Sequence, residues 1–467
     1  MLILTTAIKA LQQLIIHAQP EQTRLSVELQ PLHSTELIEW FDAQVLFPQF
    51  YWQSRDGDEE VVALGQCCHF NNINAAKGKF SGPQRIWGGC DFSHQEYYFL
   101  PQIELTRNTN SWQLSVNLPA DPVLLHKDAG RDSTAQAYDK TVLLESLANL
   151  ITPAPTPIPL SYKIEARSHY PEFNQWSHLV TKALTAIKQQ RFAKVVLARQ
   201  SILTLNRPLS AAQFLQKSRQ VNQHCFHFIF ALKPNDYFVG STPERLFTRT
   251  RTQLHTEALA GTAARSDDAR EDRALANWLL HDPKNRYENR LVVDDLMSRL
   301  GTRCTSLQVS MRPELVKLRK VQHLKHHISG ELVAGVDDAE LLASLQPTAA
   351  IAGLPRQPAL DFIAENEPFS RGWYSGALGY VSQHKSEFCV AIRSARIVEN
   401  ELQLFAGAGI VPGSDPMSEW QELERKTATL LTLLEPDSNE HSDTNDHHDH
   451  KQKHVLANLF TSEQQRA

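Results

Sequence analysis

Hydrophobic and polar positions along the chain follow two periods. Short β-like runs at 25–29, 61–64 and 112–116 alternate with polar turns and predict strands through the first 150 residues. The opening MLILTTAIKALQQLII is apolar but interrupted by Lys9, with no basic lead and no small-residue cleavage site, so it predicts an amphipathic helix. A second helix-like stretch spans 141–150. The prolines of ITPAPTPIPL (151–160) then extend the chain and oppose helix, marking a candidate boundary. Beyond it Trp176, Leu179, Val180, Leu184 and Ile187 recur at helical spacing and lead into RFAKVVLARQ (191–200), whose aliphatic run predicts a buried strand.

Further strands are expected at 226–231, 388–397 and 402–406, with a hairpin-like pair around YFVGSTPERLF (237–247). Helices are expected at 270–280, 285–300 and from about 415 to 434. Because helices and strands mix without a regular βαβ rhythm, the fold class expected is α+β, with large, mostly antiparallel sheets. The expected organisation is an N-terminal region (1–160) contributing to a layered core, a catalytic region (161–435) and a polar, low-complexity His/Asp-rich tail (436–467) read as disordered.

Composition narrows the function classes. With 42% hydrophobic and 21% charged residues, the 467-residue chain can bury a large core. A net charge of −5 gives no basic field, so nucleic acid or an anionic membrane is not an expected partner. Six cysteines without metal-finger spacing and no apolar run of membrane-spanning length point to the cytoplasm. An anionic small molecule must then be met by a few placed cations.

Lys194 enters the aliphatic strand on the side of Val196 and Ala198, away from Arg199; its amine either snorkels to water or is held dry. In GAGIVPGSDPMSEWQELERK (407–426) a glycine-rich turn precedes a helix that carries Glu419, Glu422 and Lys426 on one face. That is either a solvated stripe or the wall of an anion site. Glu288, in PKNRYENRLVVDDL, lies near the apolar boundary of another helix; it either pairs locally, as Glu422 would with Arg425, or joins Glu422 and Glu419 on a magnesium ion, which favours carboxylate oxygens. In EFCVAIRSARI, alternation sets Arg393 beside the small Cys389 and Ala391, with room over its guanidinium for a carboxylate. Glu244, in STPERLF, precedes apolar residues, and partial burial would raise its pKa and suit it to proton donation. His323 is one of three neighbouring histidines.

KVVLAR, STPERLF, ALAGTAAR, the RYEN helix, QHL, PTAAIAGLPR, AIRSARI, FAGAGIVPGS and SEWQELERK occur in an order that resembles the chorismate-utilising enzymes, from about Trp176 to Leu434. That family includes anthranilate, aminodeoxychorismate, salicylate and isochorismate synthases. The branch resembled is the isochorismate synthases, particularly those of the menaquinone pathway. The resemblance implies a two-sheet α/β sandwich and conversion of chorismate to isochorismate with Mg2+. Glu288 and Glu422 would bind the metal with Glu419 assisting; Arg393, Lys426 and the backbone near Gly409 and Gly261 would hold carboxylates; His323 would flank the ring. Lys194 would be the base for water and Glu244 the acid.

Three positions favour water over ammonia as nucleophile. Aminodeoxychorismate synthases have lysine where ALAGT carries Ala260; anthranilate synthases have glutamine at Lys194 and threonine at Ala350. No glutamine amidotransferase subunit is therefore expected. LLES at 143–146 resembles a tryptophan-binding element of anthranilate synthases but lies in the wrong part of the chain. Salicylate synthase shares base, acid and metal, and stands as the alternative together with an isochorismate synthase of a siderophore pathway; a non-catalytic regulator would be expected to lack Lys194 or Glu244.

Overall fold

A computed structural model describes residues 3–19, 21–30, 34–109, 111–118, 140–151 and 162–434. The proline-rich segment after Ile151 and the His/Asp-rich tail lie outside the described residues. Within them two antiparallel sheets, of twelve and ten strands, stack face to face with helices on their outer sides. This is the expected α+β sandwich. Both sheets draw strands from before and after residue 160: Gln49–Gln53 pairs with Phe226–Lys233 in the larger, and Arg85–Cys90 with Ala377–Ser382 in the smaller.

Alternation explains how the layers adhere. On the Lys194–Leu205 strand, Val195 and Leu197 join a cluster with Trp176, Val180 and Leu423 beneath the Phe173–Lys188 and Pro416–Leu431 helices. Ala198 faces the other way, into an aromatic layer with Trp52, Trp87, Phe228 and Tyr380 between the sheets. Arg199, on the helix side, is buried over the Trp420 ring and bonded to Glu424. The first helix, Leu4–Ile16, buries Leu4, Ala7, Leu11 and Ile15 along one stripe, as its periodicity requires.

Two expected elements differ. YFVGSTPERLF is not a hairpin: Asp236–Thr242 belongs to the twelve-stranded sheet, Arg245–Thr250 to the ten-stranded one, and Pro243–Glu244 crosses between them. Nor is 388–397 one strand. Lys385–Val390 lies in the smaller sheet and Ser394–Val398 in the larger, with Ala391, Ile392 and Arg393 forming the return crossover. Arg393 is therefore not on a strand face with Cys389 and Ala391; it takes the left-handed conformation, φ 52°. The first crossover reads as a turn and two-residue periodicity continues through the second, so neither reveals that the chain changes layer. The crossovers are tied together: Val390 N–H donates to Glu244 O (3.0 Å) and Ser241 N–H to Arg393 O (3.1 Å).

Candidate active site

The crossovers open on a pocket between the layers. Its lining includes Val196, Glu244, Gly261, Glu288, His323 and Arg393, and also Gly409 and Lys426. Lys194 is not among the lining side chains; it is wholly buried behind Glu288, so it does not snorkel. Its Nζ lies 3.0 Å from Glu288 Oε1, yet no acceptor is aligned for a hydrogen bond. Gly409 faces Val196 across the sheet, and a Cβ there would strike Glu288 Oε1 and approach Lys194 Cε to 3.0 Å. The glycine is what lets a helix carboxylate reach the strand lysine.

Glu244 is almost fully buried and its pKa is pushed up to about 8, first by burial and then by the nearby charge of Glu257; Lys194, Lys426 and Arg393 oppose the rise. Near neutral pH it is therefore a carboxylic acid with a proton to give. Arg393 donates to His323 Nε2 (2.8 Å), and burial lowers its pKa to about 10. Burial, followed by the charges of Arg393 and Lys426, holds His323 well below the usual imidazole range, so its ring is neutral. Its Nδ1 faces Thr262 Oγ1 at 3.1 Å, while Thr262 N–H donates to Asn285 Oδ1 at 2.9 Å. Gly261, φ 81°, forms an irregularity in the Gln253–Ala264 strand; a Cβ there would meet Asn285 O at 3.0 Å.

The opposite wall is helical. Glu288, from Pro283–Leu300, and Lys426, from Pro416–Leu431, line it, while Glu419 and Glu422, also on Pro416–Leu431, are not among the lining side chains. Each carboxylate meets a lysine: Glu288 meets Lys194, Glu422 meets Lys426 at 2.6 Å, and Glu419 meets Lys284 at 2.5 Å. Local arginine pairing is not what occurs. Lys426 Nζ also donates to Gly407 O (2.8 Å). Burial, then the Glu422 charge, raises the pKa of Glu419 to about 7. For Glu422 burial acts upward, but Lys426, Lys284 and Arg425 outweigh it and hold the pKa low.

No three His, Cys, Asp or Glu side chains among the described residues are already arranged around a common point as in an assembled metal centre. The donor set nonetheless fits a hard divalent cation: Glu419 and Glu422 are close enough to disfavour each other's charge, and that cost is what such an ion relieves.

Periodicity and spacing did not single out Lys284, Asn285 or Thr262, nor Tyr374 and Ser375, which also line the pocket. The one hint was the glycine- and aromatic-rich SRGWYSGALGY (370–380), where Ser375 has φ 62° and Tyr374 stacks on Phe405. Ala350 and Ala260, two of the positions tied to choice of nucleophile, both lie on the pocket wall.

A buried acid, a fixed guanidinium and a crowded carboxylate wall around one interlayer pocket define an enzyme for a small, polyanionic organic acid. The chain belongs to the chorismate binding enzyme family, whose sequence profile matches residues 84–435. It is 40% identical to isochorismate synthase MenF of Escherichia coli over 92% of this chain and 99% of that one. It is 39% identical to the Haemophilus influenzae MenF over 90% and 94%. The solved structure of the menaquinone-specific isochorismate synthase MenF from Escherichia coli superposes with a TM-score of 0.82 at 38% identity, covering 92% of this chain and all of that one. Anthranilate synthase component I of Streptococcus pneumoniae, 20% identical with a TM-score of 0.59 over 88% and 92%, shares the fold.

Proposed function

We propose that this chain is an isochorismate synthase that interconverts chorismate and isochorismate for menaquinone synthesis. The observation that carries the reading is one interlayer pocket lined by a protonated Glu244 and by Glu288, which the buried Lys194 meets at 3.0 Å, in a chain that matches MenF along almost all of its length. In the reaction water adds at C2 of the ring, the double bonds shift, and the C4 hydroxyl departs as water. Lys194 would take the proton released by the attacking water, and Glu244 would give its proton to the leaving hydroxyl. The reverse reaction exchanges the roles.

Arg393 and Lys426 would receive the substrate's carboxylates. The guanidinium is held in place by His323, and the ammonium by Gly407 O. A neutral His323 would flank the ring without adding charge. Glu288, Glu422 and Glu419 would hold magnesium, which when bound supplies a hard positive centre for a substrate carboxylate. No described helix is long and apolar enough to cross a membrane, and all six cysteines are free thiols, which supports a cytoplasmic site of action.

Chromatography of the products from chorismate plus magnesium tests the reading. Isochorismate in reversible balance with chorismate is expected, and Lys194→Ala should abolish it while chorismate still binds. Salicylate with pyruvate as main products would move the assignment to salicylate synthase. Near-normal turnover by Lys194→Ala would remove lysine as the base.

A further inference from the structure

Glu244 has no regular strand to hold it, since it stands in the two-residue link between sheets. What holds it comes from distant segments. Arg55, at the turn between the Gln49–Gln53 and Glu59–Leu64 strands, donates to Pro243 O (3.0 Å), the carbonyl before Glu244. Glu257, on the Gln253–Ala264 strand, accepts from Arg245 N–H (2.8 Å), the amide after it. The two clamps are joined, because Arg55 Nη1 also donates to that same Glu257 Oε1 at 2.6 Å. Both side chains are screened from water, 12% and 1% exposed. Phe226 lies beneath the Arg55 and Arg245 guanidiniums, each 5.6 Å from its ring centre.

We propose that Arg55 and Glu257 are positioning residues for Glu244, gripping the peptides on either side of it and setting a compensated negative charge beside its carboxyl. The inference rests on Glu244 as the acid. The charged groups facing Glu244 are Glu257, Lys194, Lys426 and Arg393, with the buried Cys389 thiol also near. The Arg245 guanidinium is directed to Glu387 instead. Among these, Glu257 opposes ionisation of Glu244 and the three cations favour it. Arg55 lies on the far side of Glu257 and moderates its charge, so the pair acts as an adjustable bias on the acid. An N-terminal turn thereby enters the reaction without touching the substrate.

Opposite charge changes must shift the pH profile in opposite directions, a response that a merely structural role would not give. In Glu257→Gln, which keeps an acceptor for Arg245 N–H, the alkaline limb of kcat against pH should move down by roughly half a unit or more. The KM for chorismate should stay within about twofold, because neither residue is on the substrate side. In Arg55→Gln the uncompensated Glu257 charge should move that limb up. An unmoved limb in folded Glu257→Gln overturns the proposal; if that variant does not fold, an unmoved or downward limb in Arg55→Gln does so. Glu244→Gln separates the two levels: near-normal turnover there sinks the acid assignment itself, whereas an inactive Glu244→Gln beside an unmoved Glu257→Gln profile sinks only the role of the pair.

Discussion

The two walls of the pocket are built on opposite principles. At the crossovers Glu244 and Arg393 sit on backbone onto which each sheet's ladder is continued by one further bond, and Arg393 holds a left-handed conformation that the surroundings must enforce. On the helices Glu288, Glu419 and Glu422 hang from regular backbone, and each is matched to a lysine. One wall fixes its groups through the backbone; the other crowds carboxylates whose charge is matched by lysines and, in the proposed reaction, would be matched by an ion. On the proposed mechanism the acid and a carboxylate anchor would stand on the rigid wall and exchangeable metal binding on the adaptable one.

Substitutions on each wall should therefore fail differently. Glu244→Gln should lower kcat by about 10²–10⁴-fold with KM little changed, and extra magnesium should not restore it; steady-state assays across a magnesium series decide this. Gly409→Ala sets a methyl into the Glu288–Lys194 contact where the walls meet. It should cost about 100-fold in kcat/KM with an unchanged circular dichroism spectrum, and activity near the parent's would show that the contact is dispensable.

Glu422→Gln should instead raise the magnesium concentration for half-maximal activity by at least about tenfold, with turnover recovering at saturation. Recovery in Glu244→Gln, or none in Glu422→Gln, would erase the distinction between the walls.

Stability offers the smallest effect. The folded pKa of Glu244, about 8, stands above its unfolded value of 4.5, so protonation favours the fold below pH 4.5 and that advantage is lost as pH rises to about 8. Glu244→Gln, which has no charge to bury, should melt above the parent at pH 8.5 by an amount on the order of a few kcal/mol. The gap should close towards pH 4.5, and a gap independent of pH would argue against the raised pKa.

The sequence conveyed what depends on neighbours. Alternation alone put Lys194 on the face of Val196 and Ala198, and the i,i+4 spacing of Glu422 and Lys426 is the ion pair found. The crossovers stayed hidden because Pro243–Glu244 reads as a turn and Ala391–Arg393 as more strand. The Lys284–Glu419 and Arg55–Glu257 pairs join segments 135 and 202 residues apart, and no local pattern reports such partners. Burial of Glu244 was legible only in part: the apolar residues after it were visible, but the opposing sheet and Glu257 were not.

The bonds between the crossovers also bear on how the chain comes alive. Each is the next rung of its own sheet's ladder, Ser241–Arg393 after Gly240–Ser394 and Glu244–Val390 after Arg245–Cys389. The pocket, by contrast, is lined by Val196 and Gly409 from one layer and Gly261 and His323 from the other, and forms only when the layers are in register. A molecule with every strand paired but its layers misaligned would own all the side chains of an enzyme and have no active site. Turnover is thus a gauge of the alignment of two sheets, a property that the amount of β-structure cannot report.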